Sequence, residues 1–160
     1  MTLNKNISFT SAITTMIMQP MNANAQGSVH GGDLMKIMDN TAGVVARRHS
    51  KGTVVTARVD ELVFHKPVFV GNIITCTGQL AYVGSSSMQI MVKVLVHDVE
   101  NYSEPETAIS SFFTMVHLKD GKPSPVEKIV PVTDEDKKLY NLGEQTYLEI
   151  KSKYKWQVVK

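Results

Sequence analysis

Cysteine is nearly absent from this sequence: Cys76 is the only one in 160 residues. No internal disulfide can form, and no cysteine-built zinc or iron–sulfur site can be assembled. One thiol fits a reducing compartment. Charge of one sign is scarce too. Lys plus Arg is 17 against 15 Asp plus Glu, a net charge of +2. A nucleic-acid-binding domain instead shows a concentrated basic face. Long apolar runs are missing, and no stretch approaches the roughly 20 apolar residues of a membrane span. Residues 11–18 are interrupted by Ser11, Thr14 and Thr15. A secretory signal needs about 7–15 apolar residues and a small-residue cleavage site. The expectation is a soluble, cytoplasmic protein with neither nucleic acid nor membrane as partner.

What is present is an ordinary globular balance, 42% hydrophobic and 20% charged. A chain of this length buries about 69% of its unfolded surface, enough for one good core. Residues 8–19 read as an extended strand, and PMNANAQG at 20–27 as a loop with turn chemistry. Residues 32–49 are the best helix. Leu34, Met38, Thr41 and Val45 share one face, and Asp33, Lys36, Asn40 and Arg47 gather on the other side. Ala42, Gly43 and Ala46 keep its second half small. Arg47, Arg48 and His49 suit its negative end, and Gly52 is the expected stop.

The pattern then turns to β over residues 54–64, 70–83, 88–96 and 107–118. Met88, Ile90, Val92, Val94 and Val96 alternate strictly, a strand with one buried face. Residues 120–125 are a turn, and Thr133 caps a second helix with acids in its first turn. Lys151–Lys160 reads as a basic, solvated tail docking one aromatic, Tyr154 or Trp156. Long strands and a helix apolar over half its girth are both satisfied by a helix wrapped in a curved sheet. The class is α+β, with residues 1–130 as one domain and 131–160 as a helical extension and tail. The sheet's other face and the small side of the helix would then seek a partner subunit.

Chemistry concentrates in residues 22–39. His30, Gly31 and Gly32 lie at a helix mouth, where free backbone N–H groups point outward and can hold an oxyanion. Asp39 lies at the edge of the apolar face, between Met35 and Gly43, where a carboxylate costs free energy unless paired or used. Asn24, in the loop before the helix, can donate to a carbonyl and accept from a water. Taken singly these are a turn, a solvated acid and a loop amide. Their combination points to a site. The five histidines are dispersed without metal-ligand spacing. Cys76 reads as a small buried side chain, and the early methionines as core filling.

The segment with Val-His-Gly-Gly at 29–32 and Met-Asp at 38–39 resembles the acyl-CoA thioesterases of the hotdog fold. It is most similar to the small bacterial acyl-CoA hydrolases related to the brain-type enzymes. VVTARVD at 54–60, FHKPV at 64–68, VGN at 70–72 and VGSSSM at 83–88 extend the likeness over residues 19–118. The resemblance implies a helix enclosed by an antiparallel sheet and a homodimer as the minimal unit, commonly a trimer of dimers, hence a homohexamer. It implies a site at the subunit interface, with Asp39 as general base or nucleophile and Asn24 orienting the thioester carbonyl or the water. Amides near Gly31 and Gly32 would stabilise the oxyanion. His30, Val55, Thr56 and Arg58 would line the substrate path. Gly84, Ser85, Ser86 and Ser87 would contact pantetheine or phosphates, and Arg58 and Lys66 would pair with the CoA phosphates. No metal and no cofactor are implied beyond coenzyme A as part of substrate and product.

Two other functions stay open on the sequence. A hotdog hydratase or dehydratase would use a His with a carboxylate, and His30 with Asp39 supplies both groups. A non-catalytic acyl-CoA-binding module would bind CoA and turn nothing over.

Overall fold

One long helix lies in the curl of an antiparallel sheet. The computed structural model describes residues 10–98, 100 and 104–153. In chain order the elements are β1 (Ala12–Ile17), α1 (Gly31–Ser50), β2 (Thr53–Val59), β3 (Val63–Phe64), β4 (Ile73–Val83), β5 (Ser87–His97), β6 (Glu106–Lys119), β7 (Lys122–Pro123) and α2 (Asp134–Lys153). The main path of the sheet is β1-β4-β5-β6-β2, and β3 and β7 also pair with β6. Every pairing is antiparallel. This is the expected helix wrapped by a curved sheet, followed by a C-terminal helix. The predicted tail residues Tyr154 and Trp156 lie outside the described residues.

The period of the sequence explains the wrap. Leu34, Met38, Thr41 and Val45 are all buried, and Ala42 and Ala46 widen that stripe. The stripe meets β1, β2, β4, β5 and β6, which curl around it. Met88, Ile90, Val92 and Val94 of β5 are fully buried. Truncating a side chain in such a position costs about 2–5 kcal/mol. Gly78 of β4 lets the helix come close, since a Cβ there would stand 2.9 Å from the Thr41 methyl.

The helix stop differs from expectation. Lys51, not Gly52, takes the left-handed conformation at φ 57°, and its N–H bonds the Arg47 carbonyl. Gly52 is required for space: a Cβ there would lie 2.5 Å from His117 Nε2. The second helix begins as expected. Thr133 Oγ1 accepts from the Asp136 N–H at 3.0 Å, and the Asp136 carboxylate accepts from the Thr133 N–H at 3.2 Å. The two form a reciprocal cap.

Helix α2 covers the other face of the sheet over β4 and β5. Gly143 is the point of closest approach: a Cβ there would meet the Ala81 Cβ at 2.8 Å and the Tyr82 Cβ at 2.9 Å. Tyr82 packs edge-on against Tyr140 and, tilted, against Tyr147, each at 5.2 Å between ring centres. Among the described residues, no helix is long and apolar enough to cross a membrane.

Two outcomes follow from this packing. Gly143→Val should lower the unfolding free energy by about 1–3 kcal/mol through overpacking, read by urea denaturation. Cys76 is wholly buried. Burial pushes its thiol above the ordinary range, and a Thr41 hydrogen bond offsets part of that. The native protein should therefore show no fast-reacting Cys76 thiol with a disulfide reagent at neutral pH, and the denatured protein should release the full signal.

Candidate active site

The loop before α1 is built on hydrogen bonds rather than on packing. Pro20–Asn22 makes one turn of 3-10 helix. Asn22 Nδ2 donates to Asp33 Oδ2 at 3.0 Å, tying this turn to the start of α1. Asn24 organises the next turn. Its Oδ1 accepts from the N–H groups of Gln26 and Ser28, at 3.0 and 3.2 Å, and its Nδ2 donates to Ser28 Oγ at 2.8 Å. One of the two Nδ2 hydrogens is left for another acceptor.

His30 precedes α1 as an exposed N-cap residue, with no side-chain cap bond. Gly31 and Gly32 are the first two helical residues, so their N–H groups have no intrahelical acceptor. The half-exposed Phe64 ring lies over Gly31, where a Cβ would stand 3.0 Å from its tip. Gly31, Phe64, His65 and Lys66 share a cavity of about 450 Å³. Lys66 is ion-paired with Glu106.

Asp39 stands half-buried at the edge of the apolar stripe, as the spacing predicts. Thr56 of β2 donates to its Oδ1 at 2.5 Å, with Met115 Sδ 3.4 Å from the same hydroxyl. Among the described residues Asp39 Oδ2 has no hydrogen-bond partner. A register shift between Thr56 and Arg58 decides which neighbours it has. Thr56 pairs with Met115, and Arg58 pairs with Thr114, one residue earlier on β6. Residues directly opposite share a face. Thr56 therefore lies on the helix side, while Arg58 lies beside Thr114 on the other side. Val55, opposite Val116, also lies on that far side. Arg58 is neutralised by Asp60 at 2.8 Å.

Ser85 and Ser86 form the tip of the β4–β5 turn, closed by the Gly84 N–H on the Ser87 carbonyl at 2.8 Å. A Cβ on Gly84 would collide with Tyr147 at 2.7 Å. The three serines line a cavity on the sheet face opposite Asp39. Among the described residues, no three His, Cys, Asp or Glu side chains are grouped to hold a metal.

One chain thus joins Thr56 to Asp39 and gathers His30, Gly31, Gly32 and Lys66 at the helix mouth. It does not join the two groups. Asp39 lies eight residues along the helix from Gly31, about 12 Å in axial rise. The family resemblance implies Thr56 on the substrate path, and the sequence gives no sign that it holds Asp39. The signal is the bulge at Ala57, which alternation alone does not show.

A family profile, the thioesterase superfamily, matches residues 26–101. The cytosolic acyl coenzyme A thioester hydrolase of Mus musculus is 39% identical over 92% of this chain. The chain spans only 39% of that relative's length. The uncharacterized acyl-CoA thioester hydrolase YkhA of Bacillus subtilis is 36% identical over 84% of this chain and 78% of its own length. An acyl-CoA hydrolase of Staphylococcus aureus, solved with butyryl coenzyme A and coenzyme A, superposes with a TM-score of 0.86 at 31% identity, covering 93% of this chain and 91% of that one. It has also been solved with an aspartate, an asparagine or a threonine replaced by alanine. A hexameric acyl-CoA thioesterase superposes with a TM-score of 0.87 at 28% identity, covering 95% of this chain and 97% of that one. The wrapped-helix fold is thus shared with these proteins, and the chain belongs to the thioesterase superfamily, among the hotdog-fold acyl-CoA thioester hydrolases.

Proposed function

We propose that this chain hydrolyses acyl-CoA to a free carboxylic acid and CoA, at a site completed by a second copy of itself. One observation carries the reading. Thr56 holds one oxygen of Asp39 and no described residue bonds the other, yet Asp39 lies about 10–12 Å along the helix from the amides of Gly32 and Gly31. A single thioester carbonyl cannot reach both groups of one chain. Two chains side by side, with Asp39 of one facing the Asn24 loop and helix mouth of the other, bring them together. The hexameric relative supports such an assembly, and a trimer of dimers is the form proposed here.

The chemistry needs few groups. Asp39 Oδ2 takes a proton from water as the water oxygen bonds to the thioester carbon. The carbonyl oxygen becomes an oxyanion and accepts from the Gly31 and Gly32 amides, while the spare N–H of Asn24 holds its orientation. The tetrahedral intermediate then collapses. The C–S bond breaks, and the CoA thiolate leaves with the proton returned from Asp39. These steps use water and this chain's own groups. Lys66 and the serines of the β4–β5 turn would meet the CoA moiety. For Arg58 that role requires release from Asp60.

The S. aureus hydrolase, with its aspartate, asparagine and threonine variants, supports the same three residue types as the working set. The mouse relative is named cytosolic, and the cytoplasm is the setting proposed here. The hydratase reading would leave the spare N–H of Asn24 without a role.

The test is thiol release from a ladder of acyl-CoAs. Asp39→Ala should lower kcat by about a hundred- to ten-thousandfold. Thr56→Val should lower kcat about tenfold with KM little changed, and Thr56→Ser should restore it. Asn24→Asp keeps the acceptor oxygen that builds the loop but removes the N–H. It should fold normally and lose turnover. Full activity in Asn24→Asp would confine Asn24 to the turn, and an inactive wild type on every chain length would refute the hydrolase.

A further inference from the structure

The cavity lined by the three serines, on the face of the sheet turned away from Asp39, measures about 370 Å³ and is closed on one side by α2. That volume lies within the range of small-molecule sites. Val116, Pro123, Tyr147 and Ile150 give it apolar walls, and Gln89 lies in its lining. Gln89 is 1% exposed. Thr114 Oγ1 donates to Gln89 Oε1 at 2.9 Å, which fixes the amide. Its Nε2 has no hydrogen-bond partner among the described residues. A buried, unpaired N–H group is rare in folded proteins and calls for an acceptor. Lys151 is the only charged residue in the lining, its Nζ 5.9 Å from the Tyr147 ring centre.

These features select one ligand chemistry. The Gln89 amide needs an acceptor oxygen, the Lys151 ammonium needs a negative charge, and the walls need hydrocarbon. We infer that this cavity binds a medium-chain carboxylic acid, its carboxylate accepting from Gln89 Nε2 and compensated by Lys151, its chain lying on Val116, Tyr147 and Ile150. The acid is of the class released by the proposed hydrolysis, so occupancy would report product at a place separate from Asp39. Binding is read without turnover, so failure here leaves the hydrolase reading standing.

The test is titration of the full chain with octanoate, followed by calorimetry and by carbon-13 NMR of the labelled carboxylate. Saturable binding is expected, with octylamine failing to bind. Gln89→Met keeps the side-chain volume and removes the donor; it should weaken octanoate about tenfold. Lys151→Glu changes an exposed position where folding is not at stake, and should weaken octanoate at least as much. Two results would overturn the inference: no saturable octanoate binding, or equal binding in Lys151→Glu.

Discussion

The structure depends on the burial of one stripe of α1 in the curl of the sheet. Leu34, Met38, Thr41 and Val45 meet the inward side chains of β4, β5 and β6, and Gly78 removes the one Cβ that would hold the helix off. Everything in the candidate site is referred to that contact. It fixes the axial position of the helix, and hence where the free amides of Gly31 and Gly32 open. It also fixes the rotation of the helix, which turns Asp39 to the edge of the stripe and toward β2 instead of into the core or out to water.

A second constraint acts on the strand that faces Asp39. The shift at Ala57 separates Thr56 and Arg58, which simple alternation would put on one side. Thr56 is left to hold the carboxylate from the helix side, and Arg58 turns to Asp60 and the far side. The same sheet therefore presents two different surfaces. One holds an acid beside the free edge of β2. The other, roofed by α2, holds Gln89 over an apolar cavity, its Nε2 without a partner among the described residues. Their separation by a single layer of backbone is what allows one short chain to carry both.

Much of this was legible in the residues. The 3.6-residue period of α1 and the strict alternation of β5 identify the helix and the buried strand, because each reflects burial against one neighbour. The cap at Thr133 was legible for the same local reason. The helix stop was not. A glycine after a basic turn reads as a left-handed residue, whereas Gly52 is there to clear His117 and Lys51 takes the turn. The partnership of Thr56 with Asp39 and the isolation of Gln89 depend on strand register. Register is set by pairings far apart in the chain, and local pattern carries little of it. Asn24 shows a further limit. The chain contacts explain it as the centre of a turn, and its proposed catalytic role rests on one N–H that a second copy would meet.

The most direct test of the two-chain site is a hybrid. Asp39→Ala and Asn24→Ala chains, each inactive alone, would be produced together with different tags, and the mixed assembly purified through both. A shared site predicts that the mixture recovers turnover, because one of the two sites at a mixed interface joins an intact Asp39 to an intact Asn24. No recovery from a hybrid whose assembly matches the wild type would place both groups within one chain and contradict the account.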